Sequence, residues 1–245
     1  MKLLCDLGHS RIKWAVLKEG LCDEGAAHYA SPDGFLALTA LARPDEIAAI
    51  SVSGRGTAAF AAFCESHWGR VPTWYGTCGE GFGVRNLYHV PETLGADRFA
   101  ALVGARARYR GRSVCVVDCG TAMTIDALDG EGNFQGGVIL AGLATSTQAL
   151  AGIGPQLAVP HIACEDDTVS VLGRSTATAI AAGVLVGAAG AIERIYRDQC
   201  ALLSSGSETM LLLTGGDAQA IAPYIGYPHV YLPHLTLEGL AVMAS

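Results

Sequence analysis

The first half of the chain alternates between apolar and polar positions in short runs, a pattern that predicts strands separated by turns and helices. Strands are expected at residues 2–7 and 11–17, joined as a hairpin by Gly8-His9-Ser10, with a third near residues 26–30. Ser31-Pro32 is typical of a helix start, because serine caps a helix and proline suits its first position. That helix would run to about residue 41. Further strands are expected at 47–52 and 71–75, and helices at 57–68 and 96–109, with a glycine-rich loop at 76–88.

The pattern restarts at Ser113 and follows the same plan. Strands are expected at residues 113–119, 122–128 and 133–140, then a helix at 144–150 and a long helix from 176 to about 200. A strand at 210–213, a short helix at 218–221, a strand at 230–232 and a helix at 236–243 complete it. Asp6-Leu7-Gly8 and Asp118-Cys119-Gly120 close the first strand of each half, 112 residues apart, which indicates duplication. The sequence therefore predicts two α/β domains, residues 1–112 and 113–245, with a ligand cleft between them.

Composition narrows the function. Hydrophobic residues make up 51% of the 245 positions and charged residues 16%, which excludes a disordered chain because apolar surface is available to offset the entropy of folding. The net charge of −7 argues against a nucleic-acid partner, which would require a basic surface. Asp6 interrupts the first apolar run, so no signal peptide is expected.

Two further features bear on the compartment. Residues 175–192 carry no charge over a stretch that approaches the length of a membrane span. Their side chains are mainly Ala, Gly, Thr and Ser, so a buried helix packed against neighbours is the preferred interpretation, and no membrane contact is expected. The eight cysteines contain no Cys-x-x-Cys pair, and several lie in apolar runs, which is typical of buried thiols in a reducing cytoplasm.

The two Asp-x-Gly turns carry candidate chemistry. Glycine lets the backbone approach a ligand closely, and consecutive N–H groups of such a turn can face a phosphate. In the first turn Ser10 adds a hydroxyl and Lys13 a positive charge, and a carboxylate such as Asp6 beside phosphates suits Mg²⁺, directly or through water. One such turn is equally an ordinary hairpin turn, but its recurrence after a second apolar strand favours phosphate sites.

Three other places have both a functional and a plain structural interpretation. Gly215-Gly216-Asp217 follows a predicted strand, so it either lets a nucleotide base or ribose approach the backbone or is a simple turn capped by Asp217. Asp97-Arg98 taken alone fits a surface ion pair at a helix start. Asp118 ends a strongly apolar strand, where an ionised carboxylate is costly unless it pairs or binds a cation.

Together, the two Asp-x-Gly turns and the late Gly-Gly resemble the acetate and sugar kinase, Hsp70 and actin superfamily, where they form two phosphate sites and an adenosine site. Within it, the chain resembles the type III pantothenate kinases from Asp6 to about Gly239. Gly95-Ala96-Asp97-Arg98 is the most diagnostic element. The other positions that carry the resemblance are 6–13, 118–122, 136–137, 173–176, 179–180, 183, 214–217 and 235–240.

The resemblance implies two ribonuclease-H-like domains of the actin-like ATPase type. It also implies a kinase that uses ATP to phosphorylate pantothenate, the first step of coenzyme A biosynthesis. Asp97 would be the general base that accepts the proton of the primary hydroxyl. Asp118 would bind K⁺ or NH₄⁺, and Asp6 would lie near Mg²⁺, directly or through water. The residues implied in ATP binding are Asp6, Leu7, Gly8, His9, Ser10, Arg11, Ile12, Lys13, Thr121, Gly215 and Gly216.

The resemblance also implies a pantothenate pocket. It would be lined by Tyr88, Gly95, Ala96, Asp97, Arg98 and, from the second half, Thr176. Arg98 would meet either the pantothenate carboxylate or a phosphate oxygen. A cytoplasmic homodimer is expected as well.

One departure from the family pattern affects nucleotide binding. The first motif of the family usually has Asn where this chain has His9. Histidine is bulkier but can still adopt the left-handed conformation and donate a hydrogen bond, so weaker ATP binding is expected rather than a different fold.

Two alternative functions remain open at the level of sequence. One is a kinase for another small hydroxylated substrate, against which Gly95-Ala96-Asp97-Arg98 argues. The other is a regulatory or accessory member of the family with weak or no kinase activity. Its expected signature is the loss of Asp97, which is present here.

Overall fold

The computed structural model describes residues 1–18, 20–28, 34–52, 54, 56–158, 169–203 and 208–245. The predicted helix start at Ser31-Pro32 lies outside the described residues. Packing divides the chain into two compact units. Unit 1 consists of Met1–Arg110, Gly132–Phe134 and His234–Ser245, and unit 2 of Gly111–Glu131 and Gln135–Pro233.

Unit 1 is built on a five-stranded sheet. Its strands are β1 (Lys2–Leu7), β2 (Arg11–Leu17), β3 (Leu21–His28), β4 (Glu46–Ser51) and β5 (Thr73–Trp74), in the order β3-β2-β1-β4-β5. β1 is antiparallel to β2 and parallel to β4. Helix α1 (Thr57–Trp68) buries Phe60, Cys64 and Trp68 in the core beside this sheet, because these positions recur at the spacing of one helical face.

The segment between β5 and the next helix forms more structure than its glycine content suggests. Residues 76–88 contain two short antiparallel strands, β6 (Glu80–Gly81) and β7 (Val84–Asn86), where a loop was expected. Gly83 between them has a φ of +78°, a conformation that favours glycine and allows the tight reversal. Helix α2 (Ala96–Arg108) follows and is buried along most of its length.

Unit 2 repeats the same sheet. Its strands are β8 (Val114–Cys119), β9 (Ala122–Leu128), β10 (Asn133–Ala141), β11 (Met210–Thr214) and β12 (His229–Tyr231), in the order β10-β9-β8-β11-β12. The first two residues of β10 belong to unit 1, where they pair with β7. β8 is antiparallel to β9 and parallel to β11, as β1 is to β2 and β4. Three antiparallel strands followed by two parallel ones make each unit ribonuclease-H-like. The expected duplication is therefore visible in the topology.

Four helices accompany this second half of the chain. They are α3 (Leu143–Ile153), α4 (Thr176–Leu203), α5 (Ala218–Ile221) and α6 (Leu235–Met243). Ile192 and Tyr196 of α4 pack with Val117, Ile125 and Leu213 of the sheet in the core of unit 2. The sequence pattern predicted α5 with its observed bounds and α4 to within three residues, since both follow clear helical periodicity.

Helix α4 is less covered than a core helix. By length and composition it is the one helix among the described residues that could cross a membrane, with a mean hydropathy of 1.5 over its most apolar window. Only 33% of that window is buried. The expected packing against neighbours is therefore limited to part of the helix, and the rest of its surface is open in this chain by itself.

Helix α6 belongs to unit 1, although it lies at the end of the second predicted domain. Gly239 of α6 and Gly104 of α2 allow a close crossing: a Cβ on Gly239 would overlap the carbonyl of Ala100, and one on Gly104 would lie 2.5 Å from the carbonyl of Leu235. The observed units thus differ from the domains 1–112 and 113–245, since the C-terminal helix and Gly132–Phe134 pack with the first half. Close packing of α6 supports α2, whose first turn carries the Gly-Ala-Asp-Arg motif.

Candidate active site

The first Asp-x-Gly turn connects β1 to β2 in unit 1. The Gly8 N–H donates to the Arg11 carbonyl at 3.0 Å, which closes the three-residue turn and leaves His9 and Ser10 exposed. Asp6 is only 4% exposed, and the antiparallel register pairs it with Lys13. Directly paired residues project from the same face of a sheet, so a carboxylate and an ammonium stand side by side behind the turn.

Some side chains of the predicted first phosphate site are engaged in other contacts. Leu7 and Ile12 are fully buried and contribute backbone and core packing only. The Arg11 Nε donates to His28 Nε2 at 2.9 Å, across β2 and β3. The groups that can face a phosphate at this turn are therefore its backbone, His9, Ser10 and Lys13.

The second Asp-x-Gly turn connects β8 to β9 in unit 2 and is one residue shorter. The Gly120 N–H donates to the Ala122 carbonyl at 3.2 Å. The carbonyl of Thr121 accepts two hydrogen bonds, from the Gly142 N–H at 3.0 Å and from Thr145 Oγ1 at 2.6 Å. These contacts hold the turn against the first residues of α3, and a helix N-terminus favours an anion.

Asp118 and Gly215 come from separate motifs and meet at the carboxyl ends of β8 and β11. Gly215 has a φ of +91° and is buried; a Cβ there would overlap Asp118 Oδ1 and lie 2.6 Å from the backbone N and O of Cys119. The Asp217 N–H donates to the Cys119 carbonyl at 2.9 Å. Ligands of open α/β sheets bind outside the carboxyl ends of parallel strands, so this is a suitable place for a nucleotide.

A monovalent cation fits this arrangement. The Asp118 carboxylate is half-buried at the carboxyl end of β8, so it offers an oxygen ligand that solvent can still reach, and the Gly215 backbone packs closely against it. Oxygen ligands suit hard cations. Cys119 is not a competing ligand, since burial and the neighbouring Asp118 and Asp217 raise the pKa of its thiol to about 12.

Mg²⁺ fits the chain only as a companion of the nucleotide. Within the described ranges, no three His, Cys, Asp or Glu side chains cluster closely enough to hold a metal. Mg²⁺ commonly takes one or two carboxylates and completes its shell with water and substrate phosphates. The buried Asp6 carboxylate matches that limited role.

The Gly-Ala-Asp-Arg motif forms the start of α2. The Asp97 Oδ1 accepts the N–H of Arg98 at 2.7 Å, and a Cβ on Gly95 would lie 2.6 Å from the same oxygen. Gly95 is therefore needed because any side chain would displace this carboxylate. Asp97 remains half-buried at the positive end of the helix, so a carboxylate is stabilised there while still reachable.

Arg98 points into a buried aromatic setting. It is 7% exposed, and its Nη1 donates to the hydroxyl of Tyr88 at 3.1 Å. Its guanidinium carbon lies 5.7 Å from the centre of the Tyr88 ring and 5.8 Å from that of Phe134. The structure thus brings the side chains of Tyr88 and Arg98 together, and Asp97 precedes Arg98 in the same helix.

Two residues of this cluster were missed from the sequence. Asn86 accepts the Tyr88 N–H at 3.1 Å and donates to the Pro91 carbonyl at 2.9 Å, which fixes the backbone on both sides of Tyr88. The centre of the Phe134 ring lies 5.2 Å from that of Tyr88, with the two rings tilted against each other. An asparagine just before the predicted pocket tyrosine was a possible signal for the first, but no local pattern marks Phe134.

Thr176 is at the exposed start of α4 and belongs to unit 2, whereas Tyr88, Asp97 and Arg98 belong to unit 1. Ser175 precedes it and exchanges hydrogen bonds with Thr178, which caps the helix. Thr176 borders an apolar groove of about 840 Å³ between α3 and α4. The groove is lined mainly by small and aliphatic side chains such as Leu150, Ile153 and Ile180.

Comparisons with known proteins agree on one family. The family model described as type III pantothenate kinase matches residues 2–198. The chain is 35% identical to a type III pantothenate kinase of Nitrosococcus oceani, over 100% of this chain and 94% of that protein. It is 40% identical to that of Aromatoleum aromaticum, over 100% and 98%.

Solved structures share the fold. A Baf family protein from Campylobacter jejuni matches with a TM-score of 0.63 at 20% identity, over 99% of this chain and 97% of that one. At this identity the likeness concerns the fold alone. It agrees with two ribonuclease-H-like units of the actin-like ATPase type.

Proposed function

The chain belongs to the type III pantothenate kinase family, and from that premise we propose how its residues transfer phosphate from ATP to pantothenate. The family's reaction is the ATP-dependent phosphorylation of pantothenate in coenzyme A biosynthesis. Phosphoryl transfer needs little covalent work from the protein, so positioning and charge compensation supply most of the catalysis.

Asp97 is the general base. Its carboxylate accepts the proton of the pantothenate primary hydroxyl while that oxygen bonds to the γ-phosphorus and ADP leaves. This role is supported mainly by how the Asp97 carboxylate is positioned. Gly95 leaves room for it, and the Arg98 N–H donates a hydrogen bond to its Oδ1 at 2.7 Å. An oriented carboxylate on a rigid helix suits a base, because small displacements cost rate.

Arg98 and Tyr88 line the pantothenate pocket beside this base, with Gly95 and Ala96. Their shared hydrogen bond of 3.1 Å fixes the guanidinium, which can receive an anionic oxygen. An Arg98→Met variant distinguishes its two candidate targets. A raised KM for pantothenate indicates the carboxylate, whereas a lowered kcat with unchanged KM indicates a phosphate oxygen in the transition state.

Two turns and one glycine pair hold the nucleotide. Gly8, Ser10 and Lys13 face one set of phosphate oxygens from unit 1, with Asp6 near Mg²⁺. Gly120 and Thr121 serve the second phosphate site. Gly215 and Gly216 approach adenosine, and Asp118 holds K⁺ or NH₄⁺, which supplies positive charge against the phosphates.

We further propose a cytoplasmic homodimer in which a second copy covers the groove between α3 and α4. Ile153 at the edge of the groove is 72% exposed. Only 33% of the most apolar window of α4 is buried. Thr176 borders the same groove, so this contact would also bring it toward a pantothenate pocket. Ile153→Glu should convert the dimer to a monomer in light scattering. An unmodified chain that is monomeric at all concentrations contradicts this proposal.

The test of the reaction is phosphorylation of pantothenate by the purified chain with Mg-ATP in K⁺, NH₄⁺ and Na⁺. Asp97→Asn should lower kcat by at least about 100-fold, the usual scale of general-base catalysis, with little change in either KM. Glu92→Gln removes an exposed carboxylate nearby and is the matched control. Turnover retained in Asp97→Asn would exclude Asp97 as the base, and no turnover of pantothenate by the unmodified chain would contradict the reaction itself.

A further inference from the structure

Phe134 is a fully buried aromatic residue to which the proposed mechanism gives no role. It is the second residue of β10, belongs to unit 1, and pairs with Asn86 of β7 in a parallel register. The Leu87 N–H donates to its carbonyl at 3.2 Å. The backbone of Phe134 is therefore joined to the segment that carries Tyr88.

The Phe134 ring contacts both polar groups of the pantothenate pocket. The Arg98 guanidinium carbon lies 5.8 Å from its centre, and the Tyr88 ring lies 5.2 Å away at an interplanar angle of 42°. A guanidinium within about 6 Å of an aromatic ring is attracted by the ring quadrupole, and more strongly when water is excluded. Only 7% of Arg98 is exposed, so the attraction acts in a largely dry setting.

These contacts restrict an otherwise flexible side chain. Arginine has several rotatable bonds, and an arginine that samples many rotamers loses binding energy when it must adopt one. Its guanidinium carries five donors in a rigid fork, so fixing the plane of the group also fixes the directions in which it donates. Two rings and the Tyr88 hydroxyl provide that restraint before any ligand arrives.

We propose that Phe134 is a positioning residue for pantothenate: its ring holds the Arg98 guanidinium and the Tyr88 ring in the geometry that receives this substrate. It acts through these two residues and does not touch the substrate itself. This inference rests on the proposed function, in which Arg98 and Tyr88 line the pantothenate pocket. It gives a role to the start of β10, which packs with unit 1.

The experiment compares Phe134→Leu with Phe60→Leu in the full chain. Both phenylalanines are fully buried in unit 1, but Phe60 belongs to α1, and its ring packs against Phe35 and Trp74 rather than against a cation. The two variants lose the same ring and gain the same aliphatic side chain, so their effects on packing are matched. KM for pantothenate, KM for ATP, kcat and the melting temperature are measured for each.

Phe134→Leu should raise the KM for pantothenate about tenfold, the equivalent of a desolvated cation–π contact, while the KM for ATP changes less than about twofold. Phe60→Leu should lower the melting temperature without changing the KM for pantothenate. If Phe134→Leu does not fold, Phe134→Met takes its place, because methionine fills an irregular cavity and has no aromatic face.

Three results would overturn the inference. The first is an unchanged KM for pantothenate in the Phe134 variant; the second is an equal rise in both KM values; the third is an equal effect of Phe60→Leu. In each of these cases the unmodified chain still phosphorylates pantothenate, so the proposed function is not contradicted. Absence of pantothenate turnover in the unmodified chain would instead overturn the proposed function and this inference with it.

Discussion

The two Asp-x-Gly turns have the same frame but different surroundings. In both, an apolar strand ends in Asp-x-Gly and an antiparallel partner follows, so the aspartates occupy equivalent positions. Asp6 is buried and faces Lys13 across the pair, whereas Asp118 is half-buried and faces Thr124. A carboxylate beside a lysine has its charge compensated by the protein, while one beside a threonine can gain by binding a cation.

The comparison shows how one repeated motif serves two purposes. Unit 1 has its turn next to the Lys13 ammonium, and its helix α2 carries the proposed base, Asp97. Unit 2 places its turn against the start of α3 and brings Asp118 next to Gly215. The duplicated backbone thus sets where a carboxylate stands, and on the proposed function the residue across the strand pair helps to decide which ion it binds. The following variants test this difference, from the largest expected effect to the smallest.

Gly215→Ala should be the most damaging change. Its φ of +91° strains any other residue, and the new Cβ would lie 2.6 Å from the Cys119 backbone and overlap the Asp118 carboxylate. We expect kcat to fall about 100-fold and the melting temperature to drop by about 5 °C. Gly8→Ala is the comparison in unit 1: its Cβ would lie 3.2 Å from the Arg11 carbonyl, so stability should change little. Equal loss of stability in both variants would contradict the stated difference.

Asp118→Asn and Asp6→Asn should change the dependence of the rate on different ions. We expect at least about a tenfold loss of turnover in K⁺ and a loss of discrimination between K⁺ and Na⁺, because contacts to a charged group are worth about 1.5–3 kcal/mol. Asp6→Asn should leave the monovalent preference intact and raise the Mg²⁺ concentration needed for half-maximal rate. Asp129→Asn in unit 2 is the control. Unchanged K⁺ preference in Asp118→Asn would exclude it as the monovalent site.

Lys13→Met should have a moderate effect, limited to the KM for ATP. Removing the ammonium beside the first turn should raise the KM for ATP about fivefold, because a partly exposed charge still attracts phosphate through solvent screening. Lys18→Met, at an exposed position of the same unit, should leave this KM unchanged. Equal KM values for ATP in the two variants would remove Lys13 from the phosphate site.

His9→Asn should have the smallest effect, and it should lower the KM for ATP where Lys13→Met raises it. Asparagine adopts tight-turn conformations readily and offers a short amide, so the KM for ATP should fall about twofold. The measurement is a titration of initial rate against ATP at saturating pantothenate. An unchanged or raised KM would show that His9 does not weaken nucleotide binding.

Local patterns predicted most of the elements. The strands at 2–7, 11–17 and 122–128 and the helix at 57–68 have the expected bounds, because each depends on alternation or helical spacing within its own segment. The third strand was placed too late, since β3 covers Leu21–His28 with little apolar alternation. The predicted helix of residues 31–41 is, in its described part, a short 3₁₀ turn at Leu36–Ala40.

The residues of the candidate site also fall into those that local patterns predicted and those that they did not. Asp97, Arg98, Asp118 and Gly215 were predicted as site residues because the chain around each forms a recognisable motif. Asn86 and Phe134 were missed, since their importance lies in contacts with Tyr88 and Arg98 that no local pattern records. Phe134 is 36 residues from Arg98 in the sequence, and only the pairing of β10 with β7 brings them together.

By itself, the sequence determined the duplicated α/β plan, the positions of both turns and the family, because periodicity and short motifs are properties of neighbouring residues. Only the tertiary structure decided that α6 and Phe134 belong to the first unit, that Asp118 stands next to Gly215, and that Arg98 lies against two aromatic rings. Each of these depends on packing between segments far apart in the chain. The free energy of such packing comes from shapes and charges that meet only after folding.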